Sequence, residues 1–197
     1  LSSAETTTPC PAPNKLRADA RRNRDKLVET AATVFAEKAG EAALEDIARQ
    51  AGVGIGTLYR HFPTREHLVE AVYRRELEGL AAAAADLSAN HPPDVALEEW
   101  TRRFVGYMAT KRGMANSLRI LMTSNSALFA EGAGLVRGAL DSLLQNASSQ
   151  GFVRKDIETT DLLHALSSIY SIPDSPEWRQ RAHRLIGLLM DGLRTQR

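Results

Sequence analysis

The sequence predicts an all-α fold, and three observations carry that expectation. Apolar residues recur three and four positions apart along most of the chain, the period of a helix with one buried face, and no stretch alternates apolar and polar residues as a half-buried strand would. Glycines and prolines at Gly40, Gly52, Pro63, Pro92, Pro93, Gly151, Pro173 and Pro176 cut that pattern into about nine helical segments. A single cysteine among 197 residues, Cys10, rules out an internal disulfide framework, so an apolar core must hold the helices together.

Taken in order, residues 1–13 are rich in Ser, Thr, Pro and Ala, lack an apolar period, and are expected to be a disordered leader. The first helix is expected over about Arg17 to Ala39, burying Leu27, Ala31, Val34 and Phe35, with Gly40 ending it. A short second helix places Ile47, Ala48 and Ala51 on one side, and Gly52 stops it by taking a positive φ that side chains resist. Val53 plugs the corner. A third helix follows from about Gly54 to Phe62, with Leu58 and Phe62 one turn apart and facing inward, and the small Ala48 suits the point where the two helices cross. Thr64 is the expected N-cap of a fourth helix, whose stripe of Leu68, Val72 and Leu80 runs on toward Ala85. His91, Pro92 and Pro93 break the pattern and mark the expected domain boundary. Later helices are expected over about 94–111, 114–122, 126–150, 159–171 and 175–195. The resulting division is a leader over 1–13, a three-helix domain over 14–63, a connecting helix over 64–90 and a second helical domain over 91–197.

Two short helices joined at a glycine corner form a helix-turn-helix. Their packing leaves Gly54, Ile55, Gly56, Thr57, Tyr59, Arg60 and His61 on the face that points away from the protein, the face a recognition helix lays in a DNA major groove. A bland helical hairpin needs no outward Thr-x-Tyr-Arg-His run, so double-stranded DNA is the expected partner. Thr57, Tyr59 and His61 are the expected phosphate contacts, Arg60 can pair with both acceptors of a guanine, and Ile55 can meet a thymine methyl. A formal charge of +1 is too small for DNA to be coated by charge alone. The basic charge is local: from Asn14 to Lys26, six cations (Lys15, Arg17, Arg21, Arg22, Arg24, Lys26) stand against two acids (Asp19, Asp25). Arg21 and Arg22 are expected to track phosphates or reach a neighbouring minor groove.

Over about Arg21 to Leu80 the phrases VFAEKAG, LEDIARQAGV, GTLYRHF and TREHLVEAV stand in the order of the TetR family of one-component bacterial transcriptional regulators, which this region resembles. The later phrases FVGYMATKRGM and RLIGLLMDGLR look like an actinobacterial-type regulatory domain within that family. Three positions depart from the family's pattern. Ala42 and Ala43 stand where Ser or Thr is usual before the second helix, Gly54 stands for the usual Ser, and Arg65 replaces the usual Lys after the recognition helix, keeping a cation for a phosphate.

The resemblance implies a small-molecule pocket among the later helices and a homodimer formed through the last two. Aromatic and sulfur-bearing side chains suit an adaptable apolar guest, and the expected pocket residues are Trp100, Phe104, Tyr107, Met108, Leu118, Met122, Phe129, Leu144, His164 and Tyr170. The leucine-rich ends supply the expected dimer interface: Leu162, Leu166, Ile169, Leu185, Leu188, Leu189 and Leu193. The implied function is ligand-controlled DNA binding, with the dimer repressing from a palindromic operator until a small apolar effector releases it.

An enzyme is not expected. The five histidines, His61, His67, His91, His164 and His183, lack metal-ligand spacing, and no phosphate-cradling glycine loop or nucleophilic triad is recognisable, so no catalytic residue, metal or cofactor is expected. No signal peptide is recognisable and no apolar run approaches the roughly 20 residues of a membrane span, so the expected location is the cytoplasm. The alternative is a helical small-molecule-sequestering or protein-binding module whose helix-turn-helix no longer reads DNA.

Overall fold

The computed structural model describes residues 13–38, 42–173 and 175–195. Among them are nine α-helices: α1 (Pro13–Glu37), α2 (Leu44–Gln50), α3 (Ile55–His61), α4 (Arg65–Asn90), α5 (Pro93–Gly113), α6 (Ala115–Ser124), α7 (Ser126–Ser149), α8 (Thr159–Ser167) and α9 (Trp178–Leu193). The helix α1 opens at Pro13, earlier than expected, with a residue whose missing N–H costs nothing in a first turn. The leader expected over 1–13 otherwise lies outside the described residues, as do Cys10 and the terminator expected at Gly40.

Local chemistry accounts for several of the helix starts. The Thr64 hydroxyl accepts from the His67 backbone N–H at the start of α4. Pro93 opens α5, where a proline ring is tolerated. The Asn125 side chain caps α7 by accepting from the Leu128 N–H, and Glu158 with Asp161 forms a reciprocal capping box on α8. The helix expected over 159–171 tightens into a 3-10 turn over Ser168–Ser171, and the last helix starts at Trp178, not 175. After α7, Gly151 takes φ 77 and turns the chain back, so that Val153 and Arg194 pair as an isolated antiparallel bridge.

The core is continuous from Leu27 to Leu193. The helices α4 and α5 sit at its centre: α4 packs on α1, α5, α6 and α7, and α5 packs on α1, α7 and α9. Trp100 is fully buried there, and its indole N–H is satisfied by the Leu80 carbonyl 2.8 Å away. Two glycines set the closest approaches. A Cβ on Gly113 would lie 1.9 Å from the Phe35 carbonyl oxygen, and one on Gly132 would lie 2.5 Å from Leu77 Cδ1. Glycine at 113 therefore lets the end of α5 abut the end of α1. Beside that joint, Arg179 of α9 donates to the Ala36 carbonyl at 2.9 Å, and Arg112 donates to the carbonyls of Tyr170 and Ile172, both at 2.8 Å.

Candidate functional site

The corner between α2 and α3 follows from its residues. Ile47 and Ala48 are buried on α2, Gly52 takes φ 67, and the Val53 N–H donates to the Ala48 carbonyl at 2.9 Å. Ala43 and Gly54 occupy the N-caps of α2 and α3 and make no side-chain capping bond. The first turn of α2 is acidic, with Glu45 and Asp46 facing the positive end of the helix dipole. Arg49 beside Asp46, together with Lys38 just beyond the end of α1, holds that carboxyl below the usual carboxylate range.

On α3, Leu58 and Phe62 point into the core while Tyr59 is 44% and Ile55 39% exposed. Gly54, Gly56 and Arg60 share the exposed face, and Thr57 and His61 are half-buried at its edges. Arg24 of α1 lies 5.4 Å from the Phe62 ring centroid, tying the basic helix to the end of α3. Arg21 and Arg22 are exposed and pair within α1 with Asp25 and Asp19. Such surface pairs are worth about 0–1 kcal/mol, too little to prevent either guanidinium from turning to a phosphate. Arg65, expected to offer its cation to a phosphate, is engaged within the fold: its guanidinium donates to the Ala42 carbonyl at 2.5 Å and stacks 5.1 Å from the Phe35 ring. The start of α4 is thereby fastened to α1 and to the entrance of α2.

A second site lies between α4, α5, α7 and α8. A cavity of about 230 Å³ is bordered by Tyr73, Phe104, Tyr107, Met108, Lys111 and Phe129, with Gly132 on its floor. Its rings touch: Tyr73 and Phe129 centroids are 5.2 Å apart, and Phe104 and Tyr107 5.6 Å. Burial raises the pKa of both phenols, Tyr73 and Tyr107, and lowers that of the Lys111 ammonium.

Four of the expected pocket residues, Phe104, Tyr107, Met108 and Phe129, border this cavity. The other six do not. Trp100 stacks behind Phe104 at 5.8 Å, and Leu118 is buried on α6 away from the cavity. Met122 is 58% exposed and turns to solvent. Leu144 borders a separate groove with Asp141 and Thr159, His164 is exposed on α8, and Tyr170 stacks outside the cavity under Lys111 and Arg112. Tyr73 and Lys111 were not among the expected residues. Lys111 lies one helical turn beyond Tyr107 and Met108, so the period of α5 carries the signal for it; Tyr73 needs the packing of α4 against α7.

The expected dimer residues also divide. Leu162, Leu166, Ile169 and Leu193 are buried within this chain's own core, which corrects their expected place on an interface. They face α5 and α7 because those helices present the matching apolar surface. Leu188 is 69% and Leu185 38% exposed, and Leu189 is half-buried, leaving an outward apolar strip on α9. No helix among the described residues is long and apolar enough to cross a membrane, and no cluster of three or more His, Cys, Asp or Glu among them could hold a metal.

Residues 27–72 match the family of bacterial regulatory proteins, tetR family, and residues 92–195 match the transcriptional regulator SbtR-like C-terminal domain. A solved TetR transcriptional regulator from Streptomyces coelicolor is 44% identical, with 88% of this chain and 99% of that one covered and a TM-score of 0.78. A TetR transcription regulatory protein from Mycobacterium vanbaalenii is 31% identical over 91% of this chain and 99% of its own, with a TM-score of 0.71. An HTH-type transcriptional regulator of Staphylococcus aureus is 39% identical over 64 residues, 32% of this chain. That match spans about a third, 35%, of the curated relative's length.

Proposed function

The chain belongs to the TetR family of helix-turn-helix transcriptional regulators, a non-enzymatic family, and from that premise we propose that it is a ligand-controlled repressor acting as a cytoplasmic homodimer. In this reading two copies of α3 enter successive major grooves of a palindromic operator, about 34–36 Å apart. Thr57, Tyr59 and His61 then position the helix on phosphates, as do Arg21 and Arg22, while Arg60 and Ile55 read base edges over the closely approaching backbone of Gly54 and Gly56. The dimer forms through the outward strip of α9, with Leu185, Leu188 and Leu189 meeting their copies.

The observation that carries the proposal is the path of α4. Its first residue, Arg65, grips the Ala42 carbonyl and the Phe35 ring at the helix-turn-helix, and Tyr73 of the same helix borders the aromatic cavity. Eight residues of helix separate them, a rise of about 12 Å with no loop to absorb movement. A guest that shifts Tyr73 must shift Arg65, and with it the spacing of the two reading helices. Coupling of this kind is typically about 1–3 kcal/mol, and it is reciprocal: a guest releases the operator only by as much as it prefers the DNA-incompetent arrangement.

The test is to sequence duplex fragments selected by the purified protein and to return the enriched sequence to a gel shift. A palindromic consensus bound by a dimer is the expected result. Enrichment of no sequence over random duplex would sink the repressor reading and favour a helical module that binds small molecules without reading DNA.

A further inference from the structure

We propose that the cavity between α4, α5, α7 and α8 takes a small aromatic carboxylic acid, and that Lys111 is the residue that selects its carboxylate. The inference rests on the reading of this cavity as the effector site and adds the chemical class of the guest. Size limits the guest first. The cavity measures about 230 Å³. An apolar cavity of about 150 Å³ suffices for benzene, so one ring with a short polar substituent fits.

The walls choose the kind of ring. Tyr73, Phe104, Tyr107 and Phe129 present faces and edges from three helices, with Tyr73 and Phe129 centroids 5.2 Å apart and Tyr73 and Tyr107 centroids 6.3 Å apart. A guest ring continues that packing.

The polar end follows from Lys111. Its ammonium rests 5.9 Å from the Tyr107 ring centroid and 5.8 Å from that of Tyr170, and among the described residues no carboxylate pairs with it. Burial alone perturbs it, toward a lower pKa, so this cation is held in a partly dry site without an anion. Burial raises the pKa of Glu76, the acid that bears on Tyr107, while Thr110 and Arg75 act in the opposite direction. A desolvated ammonium is costly to leave without a counter-charge, and an entering carboxylate removes that cost while forming a charge-assisted hydrogen bond. Ser167 adds a hydroxyl to the same lining, and none of the lining residues is acidic.

The experiment is calorimetric titration of the full chain with benzoate and with benzamide, which share a ring and differ in charge. Wild type is expected to bind benzoate at least roughly tenfold more tightly than benzamide, the ratio a charge-assisted bond supports. Lys111→Met, which keeps the apolar stem, is expected to erase that preference, and Lys111→Arg to retain it; Lys111→Gln serves as a second neutral variant if the first does not fold. Equal binding of acid and amide by wild type, or a preference that survives in the neutral variant, overturns the acid assignment and leaves the cavity reading in place. Binding of neither compound overturns both.

Discussion

Gly52 is held at φ 67 with nothing within 4 Å of the point where a Cβ would project. Gly52→Ala therefore isolates a backbone cost: stability is expected to fall by about 1–2 kcal/mol, read from urea unfolding, because the left-handed conformation is disfavoured for a side chain and no contact changes. An unchanged midpoint would mean that the corner rearranges at little cost. Arg60 carries a different expectation. Arg60→Ala should lose roughly 1–3 kcal/mol per contacted guanine and relax sequence preference in a gel shift, whereas Tyr59→Phe should weaken all duplexes alike. A preference unaltered in Arg60→Ala would move base reading elsewhere on α3. Gly52, Leu58 and Phe62 were legible because turn and period are local. The engagement of Arg65 with Ala42 and Phe35 was not, since its partners lie 23 and 30 positions earlier in sequence.

Among the helices, α2 is preceded by Ala43 at its N-cap, where the extended backbone suits a cap that alanine cannot supply. Ala43→Ser is expected to stabilise the protein by about 1 kcal/mol in thermal or urea unfolding, by accepting from a backbone N–H of the first turn. No gain would indicate that those donors are already satisfied by water. The final helix offers a cleaner test of assembly. Leu185 and Leu188 are outward in the single chain, so Leu185→Glu with Leu188→Glu should leave the fold intact by circular dichroism while light scattering reports a monomer, because charges at a closed helix interface are desolvated without partners. A dimer of unaltered mass would place the interface on another face. The amphipathic pattern of α8 and α9 was visible in sequence, but both helices carry more apolar positions than one face can bury, and the pattern does not say which of them meets α5 and α7.

At the scale of the molecule, the ends of α1 and α5 touch where Gly113 faces the Phe35 carbonyl, a backbone contact that no rotamer change relieves. Gly113→Ala should lower stability by about 1–3 kcal/mol by forcing the two helices apart, despite alanine's better helix propensity. It should also weaken operator binding, although the substitution is far in sequence from α3, because α1 carries both this joint and the packing of α2 and α3. Wild-type values in both a thermal melt and a gel shift would separate the joint from the reading head.

The sequence by itself determined the all-helical class, the glycine corner, the outward set from Ile55 to His61 and the cap at Thr64. Each depends on interactions within about four residues, where helix period and backbone sterics act alone. Tertiary structure decided the rest. It turned Met122 to solvent, placed Leu144 against another groove, buried Leu162, Leu166, Ile169 and Leu193 in the chain's own core, and brought Tyr73 and Lys111 to one cavity with Phe104 and Phe129. An apolar stripe states that a helix face is buried; only the approach of distant helices states what buries it, and whether they close completely or leave room for a guest.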